Sequence, residues 1–255
     1  MSVVSTEVED RVATITLEHP PLNVVDLAAS GELCAAIEGL ARGAGLNAVL
    51  LRARGRVFSA GVDVRDHLPD RGARMIRRFN LACTMLLEIE VPVIAAVHGA
   101  ALGGGWELAM SCDLVLASAS ATFALPEIKL GVFPPVAAIA LPRLIGTHRA
   151  ADLLLTGRSI TAAEAERLGL VTRVAPEDGF DALVAETLAT LRALSPDALR
   201  AAKRALRLSR AKPTREEIEA SDALYMEERL NAPDAIEGLT AFMEKRPPRW
   251  KGAGE

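Results

Sequence analysis

In "RVATITLE" apolar residues take every second position, with Ala13, Ile15 and Leu17 on one side. That is the period of a strand. "HPPLNV" then stops it with two prolines. The spacing changes to three and four at Leu33, Ile37 and Leu40, which predicts a helix ending in the turn "RGAGLN". "AVLLRA" follows as a short apolar run of buried-strand type. The same cycle recurs: a helix carrying Met75, Ile76, Phe79, Cys83 and Leu86 leads into the strand "VPVIAAV", and the helix "WELAMSC" into the strand "DLVLAS". Strand and helix in alternation predict an α/β core. From about Thr161 onward, "TAAEAERLG", "DALVAETLATLRAL", "SPDALRAAKRALRLS" and "TREEIEASDALYMEERL" read as helices joined by short links. Ser195 before Pro196 is an N-cap with proline in the first turn. The chain thus divides into a core over 1–194 and a helical segment over 195–255.

Composition narrows the class. The chain has 255 residues, half of them apolar, enough to bury a full core. Its formal charge of −4 supplies no basic excess for a phosphate backbone, so nucleic acid is not an expected partner. The basic run "AAKRALRLSRAKPTR" fits a solvated helix face, with phosphate contact as the alternative. Cys34, Cys83 and Cys112 are odd in number, distant, and without CxxC spacing. They predict neither a disulfide framework nor a zinc site, and suit a reducing cytoplasm. The first residues, "MSVVSTEVED", carry charge and alternate like a strand rather than an export signal. Val91 to Cys112 has the length of a membrane span, but Pro92, His98 and Glu107 interrupt it, so it is read as buried core.

Familiar catalytic motifs fail in turn. "GAALGGGW" has Gly105 and Trp106 where a P-loop needs Lys and Ser/Thr, and Leu108 stands where a dinucleotide fingerprint needs its third small residue. Ser59 lacks the first glycine of GxSxG, and the four histidines show no metal-ligand spacing. Two glycine turns and two carboxylates remain. In "VFSAGVDVRDH" a strand end runs into Ala60, Gly61 and Val62, where backbone N–H groups can face a ligand. In "LGGGWE" a helix starting near Gly104 turns its free N–H groups the same way. Two such turns can form an oxyanion hole. Glu107 then lies in that helix's first turn, as a capping acid or as a group reaching substrate. Glu127, after Pro126, is either a loop acid near Lys129 or a second catalytic carboxylate.

The ordered series "GRVFSAGVDVRD", "AAVHGAALGGGWELAMSCDLVLAS", "TFALPEIKLGVFPP", "ADLLLTGRSITAAEAERLGLVTRV" and "EGLTAFMEKRPPRW" resembles the crotonase, or enoyl-CoA hydratase/isomerase, superfamily across nearly the whole chain. The resemblance implies a spiral ββα core, a C-terminal helical segment for oligomer packing, a homotrimer or a hexamer of two trimers, and acyl-CoA chemistry with no metal or separate cofactor. It places oxyanion donors at Val62 and Gly104, and the catalytic carboxylates at Glu107 and Glu127. Leu22, Ala60, Asp63, Val64 and Arg65 would lie along the CoA moiety. "PEIKLGVFPPVAA" is most similar to the cyclohexa-1,5-diene-1-carbonyl-CoA hydratase branch. There Pro135 would stiffen the acyl pocket, and Trp106 would either wall that pocket or fill the core. The expected activity is hydration of a C=C bond conjugated to a thioester. A double-bond isomerase is the alternative within the family; a non-enzymatic or RNA-binding member, disfavoured by the acidic balance and the intact glutamate pair, is the alternative outside enzymes.

Overall fold

The computed structural model describes residues 2–41, 45–208 and 212–250. The start of the expected "RGAGLN" turn and the middle of the basic run lie outside the described residues. A six-stranded sheet joins β1 (Val4–Glu9), β2 (Val12–Leu17), β3 (Ala48–Ala53), β4 (Val93–Val97), β6 (Leu114–Ser118) and β9 (Arg173–Ala175) in that spatial order. β1 is antiparallel to β2, and every later pairing is parallel. A parallel sheet is covered on both faces, which explains why its strands read as unbroken apolar runs. Val49, Leu51, Val93 and Val97 face the main core, while Ala48, Leu50, Ile94 and Leu116 meet Phe180 and Val184. Those two belong to helix α7 (Phe180–Arg192).

A smaller sheet holds β5 (Ala100–Leu102), β7 (Thr122–Ala124) and β8 (Ile160–Thr161). Successive strands alternate between the two sheets, β4 then β5 and β6 then β7. After β3 the chain makes the same step, because Ser59 bridges to Ala101 of β5. Each pass ends in a helix: α2 (Gly72–Glu88), α3 (Gly104–Met110), and α4 (Pro135–Ile145) followed by α5 (Thr147–Thr156). This is the ββα spiral, and its repeated step brings the segments after β3, β5 and β7 to one place.

Helix α1 (Leu27–Ala41) buries Leu33, Ile37 and Leu40, as their spacing predicts. Later come α6 (Ala162–Leu168), α8 (Pro196–Arg207), α9 (Arg215–Glu228) and α10 (Pro233–Met243). Ser195 caps α8, accepting from the Ala198 N–H. The expectation of a solvated face for the basic run needs correction at Lys203 and Lys212, while Arg207 stays exposed and still finds partners. Lys203, only 5% exposed, pairs with Asp113 at 2.5 Å. Arg207 donates to the Leu87 and Ile89 carbonyls at the end of α2, and Lys212 to those of Met110 and Cys112 at the end of α3. Cations at helix C-termini satisfy free carbonyls and complement the dipole, so this run fastens the two helices that frame the site described next.

Candidate active site

The turn after β3 is held open by its neighbours. Phe58 and Ser59 donate to the His98 and Ala100 carbonyls, and the Ala60 N–H to Leu22. Gly61 has φ +98°, and a Cβ there would lie 2.8 Å from the Leu102 carbonyl oxygen and 3.6 Å from the Gly104 nitrogen. Only glycine tolerates that conformation and that approach together. Among the described residues neither the Val62 N–H nor the Gly104 N–H has a protein acceptor. Gly104 opens α3, so its N–H is one of the donors a helix leaves free. Two unpaired donors thus stand on touching turns.

Glu107, in the first turn of α3, is 3% exposed. Its carboxylate does not cap its own helix. Oε1 accepts from the Val136 and Ala137 N–H groups, both at 2.9 Å, and so caps α4. Pro135 occupies the first position of α4, where an N–H would have no helical partner; its missing donor therefore costs the site nothing. Burial pushes the Glu107 carboxyl up to about 7, against the two N–H donors that stabilise its charge and with help from the Asp222 carboxylate. Glu127 sits on a 3-10 turn, Pro126–Leu130, 9% exposed. Burial, and then the charge of Glu107, push it up to about 8. Its Oε2 is buried without a protein partner.

Both carboxylates and both turns border one cavity of about 460 Å³. Met75, Ile76 and Phe79 of α2 form one wall, and Leu130 and Phe133 another. Phe242 of α10, with Arg246 and Pro248 beyond it, lines the cavity from the C-terminal segment. Such a space suits an apolar acyl group entering past the two N–H donors.

Residues 7–253 match the family model for enoyl-CoA hydratase/isomerase. The chain belongs to this family. It is 38% identical to the cyclohexa-1,5-dienecarbonyl-CoA hydratase of Thauera aromatica, over 93% of this chain and 92% of that one. It is 34% identical to the 2,3-dehydroadipyl-CoA hydratase of Escherichia coli K12, over 96% of each. Among solved structures, an enoyl-CoA hydratase from Mycobacterium avium subsp. paratuberculosis K-10 superposes with a TM-score of 0.86 at 30% identity, covering 98% of both chains.

For an enoyl-CoA hydratase/isomerase family member, the sequence expectations divide cleanly. Ala60, Val62, Val64, Gly104, Glu107, Glu127 and Pro135 all line the cavity. Four others do not. Trp106 is 1% exposed with its ring against Phe123, centroids 5.4 Å apart, so it fills the core rather than walling an acyl pocket. Leu22 gives its carbonyl to Ala60 while its side chain faces outward. Asp63 caps the 3-10 turn 64–67 and holds the exposed Arg65 at 2.5 Å, which keeps its carboxyl below the usual range. Among the lining residues that the sequence did not assign to the site are His67, Asn80 and Phe242. Asn80 left a signal, an amide on the Ile76–Cys83 apolar stripe of α2. His67 donates its Nδ1–H to the Asp63 carbonyl at 3.0 Å, and burial holds its pKa down.

Among the described residues no cluster of three His, Cys, Asp or Glu side chains could hold a metal ion, and no helix is long and apolar enough to cross a membrane.

Proposed function

We propose that the protein is an enoyl-CoA hydratase whose catalysis rests on the Val62 and Gly104 N–H groups and on Glu107 and Glu127. The observation that carries this is two buried carboxylates, raised to different extents, on a cavity that also holds two unpaired N–H donors. An enoyl thioester seated with its carbonyl oxygen between the two donors becomes polarised. Glu107, the more acidic of the pair, takes a proton from water as the water oxygen bonds to Cβ. The C=C electrons move toward the thioester oxygen, where charge grows and the donors act most strongly. Glu127, the less acidic, delivers its proton to Cα. One carboxylate ionised and one protonated is the state the cycle needs. CoA enters as part of the substrate, and the proposed chemistry needs neither metal nor redox cofactor.

Glu107→Gln and Glu127→Gln should each slow hydration by ~10²–10⁴-fold, followed as loss of the conjugated thioester's absorbance. Near-normal turnover in both would overturn the assignment. Product that gains no ¹⁸O from labelled water would point to double-bond isomerisation. The acyl group we propose is a cyclic dienoyl thioester, supported by the likeness to the Thauera relative and by the rigid Pro134–Pro135 entry to α4. A panel of straight-chain, branched and cyclic enoyl-CoA esters tests it, with the highest kcat/KM expected for the ring. We further propose a homotrimer or a dimer of trimers, working in the cytoplasm, where the three free buried cysteines stay reduced.

A further inference from the structure

Hydration consumes water as well as thioester. An acyl group in the main cavity occupies the apolar space in front of both glutamates, so water using the same mouth competes with the substrate that must precede it. Behind α2 lies a second cavity of about 310 Å³, between α2 and α9, lined in part by Arg77, Thr84, Glu219 and Asp222. Arg77 and Glu219 are exposed, so this space meets solvent. Among the described residues one side chain, Asn80, lines both cavities.

Asn80 is held as a partition. It is 1% exposed, and its Nδ2 donates to Asp222 Oδ1 at 2.5 Å. Its Oδ1 is buried with no protein donor, as are Glu127 Oε2 and the Tyr225 hydroxyl. Asp222 and Tyr225 stand three residues apart on the buried face of α9. A buried polar atom left without a partner is costly, and a water that meets two to four polar groups satisfies it. The Asp222 charge also helps raise Glu107, and Asn80 lines the cavity that holds Glu107 and Glu127 as well as the rear one.

We infer that Asn80, held by Asp222, is a rear door through which water enters and leaves the catalytic pocket while acyl-CoA fills the front. This rests on the hydratase reading. In the reverse direction the Cβ–O bond breaks, the Cα proton passes to Glu127, and the hydroxyl leaves as water with a proton from Glu107. With enoyl-CoA still bound, that water either adds back or exchanges with bulk through the door.

The test starts from the hydroxyacyl-CoA that the best panel substrate forms in ¹⁸O water, incubated in unlabelled water. Mass spectrometry gives ¹⁸O lost from the hydroxyacyl pool relative to enoyl-CoA released, a ratio independent of how much enzyme is folded. Wild type should lose label faster than it releases enoyl-CoA. Asn80→Leu should lower the ratio several-fold, and Asn80→Ala should raise or maintain it. The inference is overturned by an unchanged ratio in Asn80→Leu, by both variants shifting the same way, or by a wild type that never exchanges water before release. A wild type that neither hydrates nor dehydrates any panel member overturns the hydratase reading instead.

Discussion

At the scale of single residues, the proposed roles of the two glutamates predict a pH response. In the proposed mechanism Glu107 works ionised, so the rate should rise as pH passes through about 7; Glu127 works protonated, so it should fall through about 8. A narrow bell in kcat/KM between those values is the expected profile. Asp222→Asn removes a like charge that raises Glu107, so the rising limb should move to lower pH while the falling limb stays. A rising limb that does not move would mean that Asp222 does not act on Glu107. Gly103 supplies a second test. It has φ +51°, and a Cβ there would fall on Glu127 Oε1. Gly103→Ala should cost about 1–3 kcal/mol of stability from backbone strain and lower kcat far more than thioester affinity, measured by thermal melting and steady-state kinetics. Glu107 also shows where sequence stops. A first-turn acid after glycine signals a cap, and Glu107 is one, but for α4, a helix starting 28 residues later. Nothing local in "GGGWE" names that partner.

At the scale of elements, legibility followed length and period. The helix stripes of α1 and α2 and the apolar runs of β3, β4 and β6 coincide with their elements because one repeated pattern fixed each of them. β5 and β7, at three residues each, are too short to show any period, although they carry the chain to the site. α4 holds Pro142 inside and ends on Gly146, so its sequence punctuates like a loop. Helix α10 was legible only through family likeness, yet its Gly238 packs so closely on the Leu130 carbonyl that no Cβ fits. That contact joins α10 to the turn bearing Glu127. Phe242, on the same helix, reaches the cavity while 58% exposed, and it touches neither glutamate by hydrogen bond. Phe242→Ala should therefore raise the KM for acyl-CoA several-fold and leave kcat near wild type. An equal loss in kcat would place Phe242 in the chemistry rather than in thioester binding.

At the scale of the molecule, the division at 194/195 is a boundary of pattern, and the packing gives it a further meaning. The family likeness implies that segment 195–255 is an oligomer-packing appendage. Yet α9 packs on α2 and α4, and α10 on the turn carrying Glu127, all within one chain. Ile218, Tyr225 and Leu239 are each 1% exposed. Burying side chains of that size is worth about 1.5–3 kcal/mol apiece, so losing the three approaches the whole ~5–15 kcal/mol of a typical fold. Lys203, Arg207 and Lys212 would leave with them, freeing the carbonyls at the ends of α2 and α3. Removal of 195–255 should thus yield an aggregated or molten chain, read by near-ultraviolet circular dichroism and light scattering. A well-folded monomer with an open site would instead make the segment an assembly device alone. The intact 27.0 kDa chain should elute at three or six times its mass. If it does, and if the C-terminal helices form the subunit interface as the family likeness implies, a substitution on α9 or α10 that loosens the assembly should also raise KM.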